Sequence, residues 1–307
     1  MFRVIIIMLV FAGCGRKLWQ APDPNVHAAA VVDLVEAARV EANATAAVAR
    51  VQTPKGTLTF FLGQEKTGGP DVSAFHRFGI RDITGALIAT AVLMLVQDNA
   101  LVLTDPVNKF IPSAPEGVTL THLLAMRSGI PDFSRTTFPP DQVTTGFDLA
   151  AAIDMTPTFE PDARFEYSRT NSLLLGEVIT SVTGKQWHDF LRERMLEPLK
   201  LFRTEFPAGT TPSQPFAAST PISFSQFQGA GGLASTAEEL ETLAKPWLRA
   251  LSSLRSCTNN VCSSGRAKVT FVATIMALAS WNVVVYSVTA APGAAIRPPR
   301  IMKQSRK

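Results

Sequence analysis

The chain has 307 residues, of which 46% are hydrophobic and 18% charged, and its formal net charge is +4. This composition excludes a disordered chain, because such chains combine low hydrophobicity with high net charge. The length suffices for one large domain or two ordinary ones with a substantial core. Four of the basic residues lie in the last eight positions: Arg300, Lys303, Arg306 and Lys307. So small and scattered a charge does not favour nucleic acid as a partner.

The N-terminus has the layout of an export signal. Arg3 precedes an apolar run from Val4 to Ala12, and small residues follow before a cysteine. The stretch Phe11-Ala12-Gly13-Cys14 resembles a bacterial lipoprotein processing box, with phenylalanine in place of the usual leucine.

We therefore expect residues 1–13 to be a signal peptide and Cys14 to be the lipidated first residue of the mature chain. Residues 14–26 then form a linker to the folded domain. An uncleaved signal anchor is the alternative. Both predict an exported protein held at the cell membrane, so the membrane is a predicted partner.

The first folded elements are predicted to be a helix and a β-hairpin. Residues 27–42 are rich in alanine, with apolar side chains at helical spacing. Two β-prone runs, residues 46–51 and 57–62, flank the turn Thr53-Pro54-Lys55-Gly56. That pattern indicates a hairpin.

A buried helix is predicted from Ile83 to Val96, where Thr84 and Thr90 are the only polar side chains. A short helix then begins near Thr119 and ends before Gly129. A proline-rich irregular segment follows, of a kind that often borders a binding cleft. Its prolines are Pro131, Pro139, Pro140, Pro157 and Pro161.

Two more helices are predicted in the second half of the chain. Residues 171–183 carry an apolar stripe that ends at Gly184. The next helix places Trp187, Phe190, Leu191 and Met195 on one side, with Pro198 beyond its end. A tight turn at residues 229–233 and a helix cap at residues 235–239 complete this region.

In order, these segments resemble the serine β-lactamase and D-Ala-D-Ala peptidase superfamily, in its class C-like and esterase-like branch. The resemblance covers residues 27 to about 245. It is carried by Phe78 to Leu101, LTDPVNKFIP, LTHLLAMRSGIPDF, FEYSRTNSLLLGEVITSVTGKQWHDFLRERMLEPL and GAGGLASTAEEL. It implies an α+β fold, an α/β sandwich with an antiparallel sheet flanked by helices and an all-helical lobe beside it.

The resemblance also shows what is missing. Family members carry Ser-x-x-Lys at the start of the central helix, where the serine is the nucleophile and the lysine tunes it. A gapless comparison puts Asp82 at the serine position and Gly85 at the lysine position. Aspartate is among the best helix N-caps, so we interpret Asp82 as a cap that stands in a catalytic position.

The second family motif, Tyr-x-Asn, corresponds to Tyr167-Ser168-Arg169. The resemblance implies a catalytic site role for Tyr167 as a proton shuttle. Arg169 replaces a neutral amide with a larger cation that only donates hydrogen bonds. We expect Arg169 to bind the carboxylate of a ligand.

The third motif, His/Lys-x-Gly, is absent from the 75 residues that follow Gly232. Residues 246–307 are therefore a divergent tail, and the C-terminal part of the sheet is in doubt. The tail could supply closing strands, span a bilayer or derive from a shifted reading frame. Cys257 and Cys262 either pair as a disulfide or remain as thiols.

The remaining candidate residues favour structural roles. His76 and His122 lack partners at metal-ligand spacing. Ser128 lies in a structural turn of the family and not in a nucleophile elbow. We predict no cofactor and no metal site.

The resulting hypothesis is a cell-envelope lipoprotein whose domain at residues 27–245 has lost acyl-serine catalysis and binds peptides or cell-wall fragments. The ligand class would be peptidoglycan-derived or D-amino-acid peptides. One alternative is an active serine hydrolase of the β-lactamase, D,D-peptidase or esterase type that uses another serine. A second is a truncated or frameshifted product without function.

Overall fold

The computed structural model of the protein describes residues 6–10, 24–53, 56–133, 157–207 and 227–245. The predictions for Cys14, for Cys257 and Cys262 and for the tail at residues 246–307 lie outside this range. So does most of the proline-rich segment, between residues 134 and 156.

The predicted helix and hairpin are confirmed. Helix α1 spans Pro24–Glu41, and strands β2 and β3 span Ala46–Thr53 and Gly56–Gly63. The two strands pair antiparallel, with Ala46 opposite Gly63 and Thr53 opposite Gly56. The short connection at the Pro-Lys-Gly turn fixes this register.

Strand β1, Ile6–Val10, adds a third strand on the other side of β2 and runs parallel to it. The sheet is therefore mixed, whereas the sequence predicted an antiparallel one. These residues belong to the predicted signal peptide, and its removal stays a prediction.

The two faces of β2 serve two cores. Ala47, Ala49 and Val51 pack with Val35 of α1 in a small cluster on one face. Ala46 and Val48, at the alternate positions, join the main core on the other face. This alternation follows from the period of two along a strand and places the sheet between α1 and the rest of the domain.

The main core is built around helix α2, Ile83–Gln97. Eight of its fifteen residues are buried, among them Leu87, Ile88 and Val92, which confirms the predicted interior helix. Just before it, strand β4, Phe78–Gly79, pairs antiparallel with strand β5, Ala234–Ser235. This pairing fixes the point at which the chain enters α2.

Two helices pack against α2, and a third packs against one of these two. Helix α4 spans Arg169–Thr183 and α5 spans Trp187–Leu191, and both contact α2; α3 spans Leu120–Leu124 and packs against α4. A π-helical turn at Arg192–Leu196 follows α5. Helix α4 ends at Gly184, whose φ of 68° is left-handed and suits a residue without a Cβ. It begins at Arg169, two residues earlier than predicted.

The last described segment returns to the start of α2. It contains a 3₁₀ turn at Gln228–Ala230, then β5, and then helix α6, which occupies residues 237–245. Thr236 caps α6, because its hydroxyl accepts from the Glu239 N–H at 3.4 Å. Among the helices that the structure describes, none has the length and apolar character that crossing a membrane requires.

Candidate functional site

The entry into α2 is held in place by main-chain hydrogen bonds. Ile80 N–H donates to Leu233 O at 2.9 Å, directly after the pairing of β4 with β5. Asp82 takes the N-cap position with helical backbone angles, and its side chain makes no capping hydrogen bond. Asp82 therefore takes the predicted N-cap position, but its side chain does not bind the free N–H groups of the helix.

The Asp82 carboxylate binds Arg169 instead. Arg169 Nε donates to Asp82 Oδ1 at 2.9 Å, and Nη2 donates to Oδ2 at 3.1 Å. The third guanidinium nitrogen, Nη1, donates to Asp132 Oδ2 at 3.1 Å. We call these three residues the Asp82–Arg169–Asp132 cluster. Two-point contact of this kind matches the geometry of a guanidinium to that of a carboxylate.

The cluster is largely shielded from water. The side chains of Asp132, Asp82 and Arg169 are 1%, 12% and 21% exposed. Neighbouring hydrogen bonds fix the Asp132 loop on α4, because Thr170 Oγ1 donates to Pro131 O at 2.6 Å and accepts from Phe133 N–H at 3.0 Å. The cluster therefore joins the start of α2, the start of α4 and this loop.

The ion pairs with Asp82 and Asp132 change the expected role of Arg169. Its guanidinium was expected to bind a ligand carboxylate, but two carboxylates of the protein itself hold it. Burial acts to lower the Arg169 pKa, while Asp82, Tyr167 and Asp132 act to raise it and prevail. Arg169 is a permanent cation whose partners are internal.

Tyr167 lies beside the cluster, and the Arg169 guanidinium carbon is 5.6 Å from the centre of its ring. Burial raises the pKa of Tyr167 well above its usual value, and the Asp82 and Asp132 carboxylates raise it further, against the opposing effect of Arg169. A base of this kind needs a lowered pKa. Tyr167 is therefore a neutral phenol at physiological pH.

This pKa gives a testable pH dependence. In a Tyr286→Phe variant Tyr167 is the remaining tyrosine, and near-ultraviolet absorbance reports its ionisation. We expect no ionisation in the folded protein near pH 10, the ordinary value, and a normal titration after denaturation. Because the folded state favours the neutral phenol, stability falls as pH rises above that value. A folded-state midpoint near pH 10 would contradict the assignment.

Gly85 faces Ser172 of α4. A Cβ atom at position 85 would lie 2.7 Å from Ser172 Oγ and 3.3 Å from Ser172 Cβ. The helices α2 and α4 therefore approach each other closely where the family carries its lysine. A side chain at the position of the missing lysine would therefore require Ser172 to shift.

Other serines near this region have structural roles. Ser128 is buried, its hydroxyl donates to Asn171 Oδ1 at 2.6 Å, and its oxygen accepts from Ile130 N–H at 3.1 Å. Asn171 in turn donates to Met126 Sδ at 3.2 Å. These contacts support the predicted structural role of Ser128. Asn171 carried no signal in the sequence, since it lies in the first turn of an ordinary helix pattern.

Two of the histidines, His76 and His122, stabilise local turns. His122 and Thr119 form a reciprocal capping box at the start of α3. His76 Nδ1 lies 3.0 Å from both the backbone nitrogen and the Oγ of Ser73, and its Nε2 lies 3.6 Å from Glu65 Oε2. Within the described part of the chain, no group of three or more His, Cys, Asp or Glu side chains could hold a metal ion.

Comparison with known proteins identifies the family. A sequence model of the family described as Beta-lactamase matches residues 32–266, more than half of the chain. The chain belongs to the beta-lactamase family. The match begins in α1 and covers every element of the cluster described above.

Individual relatives are more distant. Protein flp of Staphylococcus aureus strain MW2 is 31% identical over 139 residues, which are 42% of this chain and 28% of that protein. Penicillin-binding protein 4* of Bacillus subtilis strain 168 is 25% identical over 134 residues, 41% of this chain and 30% of that protein. The chain thus spans less than a third of the length of these curated relatives.

Among solved structures, D-amino acid amidase from Ochrobactrum anthropi SV3, complexed with L-phenylalanine amide, superposes with a TM-score of 0.62 at 24% identity. The superposition covers 72% of this chain and 70% of the amidase. At this identity the likeness concerns the fold. It confirms the predicted α+β, β-lactamase-like architecture.

Proposed function

We propose that this β-lactamase-related protein is a cell-envelope lipoprotein, anchored through Cys14, that is impaired in acyl-serine catalysis and binds peptides or cell-wall fragments. The observation that carries the proposal is the two-point ion pair between Asp82 and Arg169. It occupies the start of α2, where the resemblance implies a nucleophilic serine and its lysine.

The chemistry of the pair opposes acyl transfer. Attack of the Asp82 carboxylate on an amide would form a high-energy anhydride. Its oxygens are also bound by a guanidinium, which stabilises the carboxylate and makes it less nucleophilic. Gly85 offers no base, and the raised pKa of Tyr167 leaves the phenol protonated. Neither Gly85 nor the protonated Tyr167 can therefore deprotonate an attacking group at neutral pH, and Arg169 engages both oxygens of Asp82.

Binding is the function that survives such changes. The solved amidase was crystallised with an amino-acid amide, and another relative is named a penicillin-binding protein. Retention of this fold without the nucleophile supports a site that holds a related ligand without cleaving it. Peptidoglycan-derived and D-amino-acid peptides are the ligand class we propose, and export of the chain would bring it to them.

An active serine hydrolase is the rival function, and one observation favours a particular serine. Ser73 is partly exposed, and its Oγ lies 3.0 Å from His76 Nδ1, which has Glu65 on its other side. A serine, a base and a carboxylate in this order can form a nucleophilic site. However, His76 Nδ1 also accepts the Ser73 backbone N–H, which is the geometry of a turn cap.

Labelling distinguishes the two functions. The purified chain is incubated with a fluorescent penicillin and, separately, with a chromogenic ester, beside an active member of the family. We expect no covalent adduct by intact-protein mass spectrometry and no ester hydrolysis above that of buffer. An adduct on any serine would overturn the impaired-catalysis proposal. Its loss in a Ser73→Ala variant would assign the reaction to Ser73.

A further inference from the structure

Arg81 is a second arginine at the start of α2, and its surroundings differ from those of Arg169. Its φ of 47° is left-handed, which is uncommon for a residue with a Cβ. The guanidinium carbon lies 3.9 Å from the centre of the Phe227 ring. Arg81 therefore packs against the turn that precedes β5.

The hydrogen bonds of Arg81 are incomplete. Its Nη1 is buried and has no hydrogen-bond partner in the described part of the chain. Asp82, the carboxylate next to it in the sequence, has both oxygens bound by Arg169. Burial lowers the Arg81 pKa to about 10, with Asp82 opposing and Arg169 assisting this effect. The side chain is still a cation at neutral pH.

Such a donor is costly unless an acceptor reaches it. Leaving a buried polar group unpaired costs about 1–3 kcal/mol, and more for a charged group. The positive N-terminus of helix α2 also favours an anion, and the Asp82 carboxylate at its N-cap offsets part of this attraction. Arg81 as a whole is partly exposed although Nη1 is buried, so an external group has to reach the guanidinium by way of its other two nitrogens, Nε and Nη2.

Aromatic side chains border this position. Phe227 stacks on Arg81, and its ring centre lies 6.3 Å from that of Phe133, in the loop that carries Asp132. A ligand that fits here therefore combines an anionic group with an adjacent apolar group. A carboxylate is the anion whose two oxygens match a guanidinium edge.

We propose that Arg81, and not Arg169, binds the carboxylate of a ligand whose neighbouring apolar group lies against Phe227. This inference rests on the ligand-binding part of the proposed function and specifies its recognition group. Peptides and acylated amino acids with a free C-terminal carboxylate belong to the ligand class it predicts.

The test compares two peptides with the wild-type chain. N-acetyl-D-Ala-D-Ala is titrated with its free carboxylate and, in parallel, as the C-terminal amide, by calorimetry at constant ionic strength. We expect the carboxylate form to bind at least about tenfold more tightly, since only it supplies two acceptors to the guanidinium. This comparison needs no substitution and so does not depend on the folding of a variant.

Variants then assign the difference to one residue. Arg81→Met should remove the preference for the carboxylate, and Arg81→Lys should retain part of it, because lysine keeps the charge without the planar fork. Arg203→Met is the matched control, since Arg203 also lies over an aromatic ring, Phe75, at 4.7 Å. The control should keep the full preference. A preference that persists in Arg81→Met would contradict the inference.

A second measurement separates this inference from the proposed function. Thermal unfolding is followed with and without sodium benzoate, at equal ionic strength, in the wild-type chain and in Arg81→Met. Stabilisation of the wild-type chain alone, without peptide binding, would support the Arg81 site and reject the peptide ligands. Equal binding of both peptides would reject the Arg81 site and leave peptide binding intact. No response to peptide or benzoate rejects both.

Discussion

Replacement of Arg169 by methionine is expected to lower the free energy of unfolding by about 3–4 kcal/mol. The substitution removes the donor from two carboxylates at once, and Asp132 is only 1% exposed. Breaking a buried ion pair costs about 3–5 kcal/mol because it leaves an uncompensated charge. The lower part of that range applies, since Arg169 keeps some contact with water. Urea denaturation followed by circular dichroism measures the loss.

Arg192 supplies a matched control for this experiment. It also lies between two carboxylates, at 2.8 Å from Asp189 and 3.7 Å from Glu197, but its side chain is 55% exposed. Exposed ion pairs contribute about 0–1 kcal/mol. Arg192→Met should therefore cost less than about 1 kcal/mol, and an equal loss in both variants would show that burial of the cluster is not the cause.

The pairing itself can be tested with a double variant. Asp82→Asn removes one of the two carboxylates whose contacts with the guanidinium are lost in Arg169→Met. The combined variant should therefore be less destabilised than the sum of the two single ones, by about 0.5–3 kcal/mol, the range usual for residues in contact. Additive losses would mean that Asp82 and Arg169 do not stabilise each other.

The fold was more accessible from the sequence than the site. Helix α2 was predicted within a residue or two because fourteen nearly continuous apolar positions can be satisfied only in an interior. The hairpin followed from a Pro-Gly turn between two β-prone runs. The parallel pairing of β1 was not predicted, because residues 6–10 have the composition of an export signal and pairing partners distant in sequence leave no local pattern.

The sequence pointed to two members of the cluster, Asp82 and Arg169, but not to the contact between them. Asp82 and Arg169 both stood out as departures from family motifs, yet they were interpreted separately, one as a cap and the other as a ligand-binding cation. They are 87 residues apart, and only the packing of α2 on α4 brings them together. The available signal was that an acidic residue, Asp82, replaces the serine of one family motif while a basic residue, Arg169, replaces the asparagine of another motif of the same site. Asp132 carried no such signal, because it lies in an irregular loop.

The second large effect is expected at Gly85. Gly85→Ala should destabilise the protein by about 1–3 kcal/mol, although alanine favours helices over glycine by about 1 kcal/mol. The reason is steric, since the new Cβ would lie 2.7 Å from the Oγ and 3.3 Å from the Cβ of buried Ser172, so that either this side chain must turn or α2 and α4 must move apart. Thermal and urea denaturation measure the net change.

Gly176 is the matched control, because it also lies within a helix that packs in the core. A Cβ there would be 3.6 Å from its nearest neighbours, which is ordinary contact. Gly176→Ala should therefore be neutral or stabilise by up to about 1 kcal/mol. Ser172→Ala removes the 2.7 Å contact and should reduce the cost of Gly85→Ala. An unchanged cost in that background would place the obstacle elsewhere.

The same contact bears on whether catalysis can be restored. Asp82→Ser combined with Gly85→Lys returns both family residues to the start of α2, but lysine meets the same obstruction as alanine with a longer side chain. Arg169 would also lose its partner on α2. We therefore expect the double variant to be less stable than the wild-type chain and to remain unlabelled by fluorescent penicillin. Labelling of residue 82 in that variant would show that this scaffold still accommodates the family's chemistry.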